Sequence, residues 1–76
     1  MNWYANKDRS LYNLTDNGKT VVILKWRSEE SDWFVQITRP GDIVATSFRT
    51  KRLASAWLVS YYFLLPLPEE ELERTK

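Results

Sequence analysis

The sequence of 76 residues has the length of one domain with a small core. It contains neither cysteine nor histidine, which excludes disulfides, thiolate metal sites and the commonest general base. The net charge of +1 is unevenly spread: residues 1–65 hold nine Lys and Arg against six Asp and Glu, whereas residues 66–76 hold four Glu against two cations. This balance permits nucleic-acid binding without requiring it.

The sequence shows no targeting or membrane signal. Its N-terminus lacks a basic region followed by an apolar run. The apolar run at residues 61–65 is far shorter than the ~20 residues that a membrane span needs. We therefore expect a soluble, cytoplasmic protein that does not associate with membranes.

The N-terminal third predicts an arm followed by a hairpin. Residues 1–10 read as a partly ordered arm, whose aromatic residues pack on the domain edge or whose Lys7 and Arg9 reach a partner. Residues 11–15 form a candidate strand. Asn17 and Gly18 then suit a type I′ turn, which needs positive φ at both central positions. A β-branched strand follows at residues 20–27.

Two further strands follow at residues 33–38 and 43–49. Pro40 and Gly41 between them suit a type II turn. We place Val44, Thr46 and Phe48 on the helix side of the sheet, although a slip of one residue would exchange the two faces.

The strongest helix signal runs from about residue 51 to residue 63. Thr50 suits the N-cap, and an apolar face is predicted at the helical spacing. That face comprises Ala54, Trp57, Leu58 and Tyr61. Prolines end the helix. The sequence thus predicts an α+β fold, in which an antiparallel meander of three to four strands carries one C-terminal helix on one face. Residues 1–65 form the domain, and residues 66–76 form an acidic tail.

The sequence lacks the residue patterns of common catalytic sites. The carboxylates fall mostly in turns and in the tail, and the two glycines are both used by turns, which leaves no phosphate-binding glycine loop. We expect no enzymatic activity, no cofactor and no metal site.

The sheet face away from the helix offers a candidate nucleic-acid surface. It combines cations, an amide, a hydroxyl and an aromatic ring, which can read base edges or stack on unpaired bases. Arg49 extends this face, and Lys51 and Arg52 lie beside the free amides of the first helical turn, which attract a phosphate. The predicted site is Lys25, Arg27, Phe34, Gln36, Thr38, Arg49, Lys51 and Arg52. The alternatives are an ordinary solvated sheet face, and helix-start cations that are solvated or paired with Asp42 or a tail carboxylate.

The stretch from Trp33 to Leu58 resembles a known family. Its Trp33-Phe34-Val35-Gln36-Ile37 strand, Pro40-Gly41-Asp42 turn, Ser47-Phe48-Arg49-Thr50-Lys51-Arg52 corner and Ala54-Ser55-Ala56-Trp57-Leu58 helix are similar to the N-terminal DNA-binding domain of phage-type tyrosine integrases and to the plant AP2 domain. The resemblance implies DNA contact through a three-stranded sheet backed by the helix. The chain departs from the family at Ser31-Asp32, where a glycine is often found, and at Leu53, where the family's helix often has an acid.

Two functions stay open. The first is a small DNA-binding protein, from a phage or mobile element, that uses the open face of the sheet. The second is a regulator or inhibitor that docks on a larger protein or forms a homodimer. The second rests on an exposed sheet edge and on aromatic residues in excess of what a small core can cover, namely Trp3, Tyr4, Trp26, Tyr62 and Phe63.

Overall fold

A computed structural model describes residues 1–39, 41–62 and 67 of the chain. They form five strands and one helix: β1 (Asn2–Ala5), β2 (Leu11–Asp16), β3 (Lys19–Arg27), β4 (Asp32–Arg39), β5 (Asp42–Phe48) and α1 (Lys51–Tyr62). The strands make one antiparallel sheet in the order β1-β2-β3-β4-β5. The predicted α+β meander with a C-terminal helix is confirmed, but the sheet has five strands rather than three to four.

The additional strand lies in the segment expected to be a loose arm. β1 pairs along its whole length with β2. The Trp3 ring packs edge-on against the buried Tyr12 ring, with centroids 6.4 Å apart. The contact joins two adjacent strands and agrees with the expectation that aromatic residues of this segment pack on the domain edge, whereas its pairing as a strand was not predicted.

Two turns have the backbone conformations that their residues predicted, and these turns connect paired strands. Asn17 and Gly18 both have positive φ, 53° and 77°, as a type I′ turn requires. Gly41 has φ of 80°, which suits the third position of a type II turn. Pro40, the other central residue of that predicted turn, lies outside the described residues.

The core lies between the sheet and α1. Its fully buried members are Tyr12, Leu14, Val22, Leu24, Val35, Ile37, Ala54, Leu58 and Leu67. Val44 and Phe48 pack against this core, which confirms the predicted phase of β5. Leu67, which falls in the predicted acidic tail, is buried, and its amide donates to Ser55 Oγ at 3.2 Å.

The helix begins as predicted. Thr50 Oγ1 accepts a hydrogen bond from the Leu53 amide at 3.2 Å, which is N-cap geometry. Ala54 and Leu58 are buried, and Trp57 packs at the edge of the core. Tyr61 is 73% exposed, so the expectation that it is buried is wrong; its ring lies against that of Trp57, one turn earlier, with centroids 6.3 Å apart. The predicted helix end at Phe63 and the acidic stretch 68–76 lie outside the described residues.

Candidate nucleic-acid interface

Three of the predicted site residues form one arrangement on the open face, the side of the sheet opposite α1. Lys25 and Phe34 are cross-strand partners on β3 and β4. Lys25 Nζ lies 5.8 Å from the centroid of the Phe34 ring, and Arg27 Cζ lies 4.8 Å from it. Two cations therefore stand over one aromatic ring. The ring holds these cations in place rather than presenting a bare face for stacking.

Arg27 has a second partner that the sequence reasoning did not assign. Its guanidinium donates Nε to Asp32 Oδ1 at 2.8 Å and Nη2 to Asp32 Oδ2 at 2.7 Å. These hydrogen bonds lower the pKa of Asp32, and a hydrogen bond from Ser47 adds to the effect. The carboxylate in turn raises the pKa of Arg27. The pair holds the guanidinium of Arg27 at the sheet surface, and the Asp32 carboxylate offsets the positive charge of that guanidinium.

Gln36 and Thr38 lie away from these cations. Gln36 sits at mid-sheet between Ile23 and Ala45, and Thr38 pairs with Ile43 near the β4–β5 turn. The structure therefore places them on the predicted face but does not bring them together with Lys25 and Arg27.

Lys51 lies on the other side of the sheet. Its Nζ donates to Tyr12 Oη at 3.1 Å. The same atom stands 5.3 Å from the Tyr12 ring centroid and 5.4 Å from that of Trp33. Lys51 is thus bound to the aromatic residues beneath the helix start. Arg49 and Arg52, both exposed, lie beside it in the β5–α1 corner.

The charges of the fold are divided between the two ends of the sheet. One end comprises the 6–10 loop, the ends of β3 and β4 around the 28–31 turn, and the 49–52 corner; we call it the basic end. It holds seven cations against four carboxylates, a net charge of +3 (Lys7, Arg9, Lys25, Arg27, Arg49, Lys51 and Arg52; Asp8, Glu29, Glu30 and Asp32). The opposite end balances Lys19 and Arg39 against Asp16 and Asp42.

Two tryptophans at the basic end are absent from the predicted nucleic-acid site, although Trp26 was expected among the aromatic residues that the core cannot cover. Trp26 and Trp33 pair across β3 and β4, with ring centroids 5.6 Å apart and planes 54° apart. Strand alternation puts both on the helix side, where a side chain is expected to be covered. However, α1 packs mainly against β4 and β5, and Trp26 stays 39% exposed.

These rings line an open depression of about 370 Å³, which we call the tryptophan depression. Its other lining residues are Asp8, Arg9 and Ser10 of the 6–10 loop. On its other side, Trp26 also lines a second depression of about 340 Å³ with Lys25, Arg27 and the 28–30 turn. Trp26 thus stands between the helix side and the cations of the open face.

Hydrogen bonds within the 6–10 loop fix its shape. Asn6 Oδ1 accepts from the amides of Ser10 and Leu11 at 2.9 and 3.1 Å. Asp8 Oδ1 accepts from the Ser10 hydroxyl at 2.7 Å, which lowers the pKa of Asp8. Arg9 between them adopts φ of 58°, an unusual value for a residue with a side chain. The loop is tied to β3 because the Trp26 amide donates to Ser10 O at 2.8 Å.

The part of the chain that the structure describes holds no cluster of three or more potential metal ligands. Within the same residues, α1 is too short to cross a membrane, and no membrane-spanning helix is present. No protein-family model matches the chain, and neither the curated proteins nor the solved structures compared with it include a match. The resemblance to integrase-type and AP2 domains therefore rests on residues 33–58 alone.

Proposed function

We propose that this protein is a small nucleic-acid-binding protein that contacts its ligand at the basic end of the sheet. The observation that carries the proposal is the charge division: the whole net charge of the described residues, +3, lies at the end that also exposes Trp26. Cations attract the phosphate backbone, and exposed aromatic rings stack on bases, so the two features together suit nucleic acid.

The proposed site differs from the one predicted from sequence. It keeps the Lys25, Arg27 and Phe34 arrangement and the Arg49–Arg52 corner, and it adds Arg9 and Trp26. Gln36 and Thr38 lie outside it. Asp32 limits what Arg27 contributes, so the exposed cations Lys25 and Arg49 are the better candidates for phosphate contact. A DNA ligand, a cytoplasmic location and an origin in a phage or mobile element belong to the same proposal.

A matched set of charge variants tests the location of the site. Lys25→Ala and Arg49→Ala each remove one cation from the basic end, and Lys19→Ala removes one from the opposite end. We expect the first two to weaken binding to labelled oligonucleotides and to lower the salt slope by about one each. Lys19→Ala should leave both quantities close to wild type. Equal effects of all three variants would contradict a localised site, and no salt-dependent binding by the wild type would contradict the function.

A second candidate is a protein-interaction module or homodimer. It is favoured by exposed apolar side chains on an edge strand and on the helix. Ile43 of β5 is 68% exposed, and Leu53 and Tyr61 of α1 are 52% and 73% exposed. Among the described residues β5 has a strand neighbour on one side only, so it offers backbone groups to a further strand.

Light scattering of the purified protein tests this candidate. A dimer that Ile43→Lys converts into a folded monomer would support it, because a charge on an edge strand opposes strand addition. A monomer at all accessible concentrations would remove the homodimer. Docking on another protein would then be supported only if a captured partner is released by the same Ile43→Lys variant.

A further inference from the structure

We propose that the tryptophan depression binds one unpaired nucleobase that carries an exocyclic amino group, with cytosine favoured over thymine or uracil. This inference rests on the proposed function and specifies its ligand as a single strand. It also assigns a base-reading role to Asp8, a residue of the strained loop.

The shape of the depression suits one planar ring. Trp26 is exposed over more than a third of its surface, and Trp33 meets it at 54° with centroids 5.6 Å apart. A base stacked on Trp26 would therefore meet Trp33 edge to face, a geometry that aromatic rings prefer. Two tilted rings form a corner that holds one base; a coplanar pair would instead offer an extended platform.

The 6–10 loop, which lines the depression beside the two tryptophans, supplies a hydrogen-bond acceptor. Asp8 lines the depression, and its Oδ1 already accepts from the amide and the hydroxyl of Ser10. Those hydrogen bonds hold the carboxylate in one orientation and favour its ionised form. An ionised carboxylate accepts hydrogen bonds and donates none. It therefore pairs with the amino group of cytosine, whereas the O4 of thymine or uracil would be repelled.

The cations around the depression could contact the phosphates of a nucleic-acid strand whose one base occupies the depression. Arg9 lines the depression itself, and Lys25 and Arg27 lie beyond Trp26. A carboxylate alone would repel a polyanion. At the basic end, however, seven cations outnumber four carboxylates, so phosphates are attracted while the Asp8 carboxylate in the depression faces the base. Inside a duplex both faces of a base are covered by the neighbouring base pairs, so the base cannot stack on Trp26, and a single strand is the expected ligand.

The test compares short labelled strands of equal length by fluorescence anisotropy at low salt. The ligands are oligo(dC), oligo(dT), the same lengths with abasic positions, a duplex, and free cytidine monophosphate. We expect oligo(dC) to bind at least about threefold tighter than oligo(dT), and abasic strands to lose about fivefold or more. Trp26→Ala should lose a similar factor, and Trp26→Phe should lose less. Tyr61→Ala removes an exposed aromatic ring that does not line the depression and should leave binding unchanged.

Asp8→Asn tests the base-reading role. Asparagine keeps an oxygen for Ser10 and adds an amide donor that suits the O4 of thymine. We expect this variant to lose the preference for oligo(dC), or to reverse it. The ratio of the two affinities is the readout, because the lost negative charge changes both in the same direction. Circular dichroism and a thermal melt of each variant exclude unfolding as the cause.

The outcomes separate the inference from the proposed function. Salt-dependent binding that abasic strands and Trp26→Ala leave unchanged would overturn the base site and leave phosphate binding at the basic end intact. Equal affinity for oligo(dC) and oligo(dT) would overturn the role of Asp8. Cytidine monophosphate bound as tightly as the strand would overturn the strand as ligand. An absence of any salt-dependent binding would overturn the site and the function together.

Discussion

Arg27 and Asp32 face each other across β3 and β4, and both oxygens of the carboxylate accept hydrogen bonds from the guanidinium, at 2.8 and 2.7 Å. Bidentate geometry of this kind orients an arginine more strictly than a single contact does. The pair lies at the basic end, where Asp32 fixes the position of the Arg27 cation and partly neutralises its charge.

Asp32→Asn should strengthen nucleic-acid binding. The substitution removes one of the four carboxylates of the basic end and leaves Arg27 uncompensated. We expect the dissociation constant at low salt to fall roughly twofold to fivefold, and the difference to shrink as salt is raised. Asp16→Asn makes the same change at the opposite end and should have little effect. Tighter binding by both variants to the same extent would show that only the overall charge matters.

The same pair predicts acid sensitivity of the fold. Hydrogen bonds from Arg27 hold the pKa of Asp32 below its ordinary value, so the folded state favours the ionised carboxylate. Its contribution to stability is therefore complete above the pKa of the unfolded chain and is lost as the pH falls through the folded pKa. Thermal melts between about pH 6 and about pH 2 should show a smaller loss for Asp32→Asn than for the wild type. Asp8, whose pKa is also lowered, is present in both proteins and cancels in this comparison. Parallel curves would contradict the expectation.

Lys51→Met should destabilise the protein by about 1 kcal/mol, because the variant loses a hydrogen bond to Tyr12 Oη and a cation over two aromatic rings. Methionine keeps the length of the side chain and its helix propensity. Urea denaturation measures the difference, and Lys19→Met, an exposed lysine on β3, is the control. A change no larger than that of the control would show that Lys51 is held without contributing to stability.

Leu67→Ala should cost about 2–4 kcal/mol, the range for a leucine that is lost from a packed core. Leu67 is 1% exposed and lies beyond the boundary that the sequence suggested for the domain. Leu53→Ala, at a side chain that is 52% exposed, removes the same atoms and should cost well under about 1 kcal/mol. Equal costs in urea denaturation would contradict the buried position of Leu67. A chain that ends at residue 65 should be destabilised at least as much as Leu67→Ala.

The parts of the fold that were predictable depend on local chemistry. Asn17 and Gly18 encode their turn because few other residues accept positive φ at both positions. Thr50 encodes the helix start through its own hydroxyl. Alternation along β3 and β4 assigned the faces correctly and placed Lys25 and Phe34 on the same side, although their cross-strand pairing was not predicted.

The parts that were missed depend on where elements lie relative to one another. β1 is held to the sheet in part by the contact of Trp3 with Tyr12, a residue nine positions away on a different strand. Trp26 was expected among the aromatic residues in excess of the core, but its place beside Trp33 and the 6–10 loop depends on which strands the helix covers, and no periodicity reports this. The pairing of Arg27 with Asp32 needs the register of a turn with Ser31 at φ of 53°. Each of these features belongs to the candidate site or to its support.

The strictly sequential strand order has a kinetic consequence. Each of the five described strands pairs with its neighbours along the chain and with no other described strand, so the sheet can grow one hairpin at a time with short loops to close. The hydrogen bond from Lys51 to Tyr12 joins residues 39 positions apart, and closing that loop costs more entropy. We therefore expect hairpins to form first and the helix to dock afterwards, onto a sheet that already exists. The rings of Tyr12 and Trp33, which contact the Lys51 ammonium in the folded protein, would then stay exposed until the helix docks.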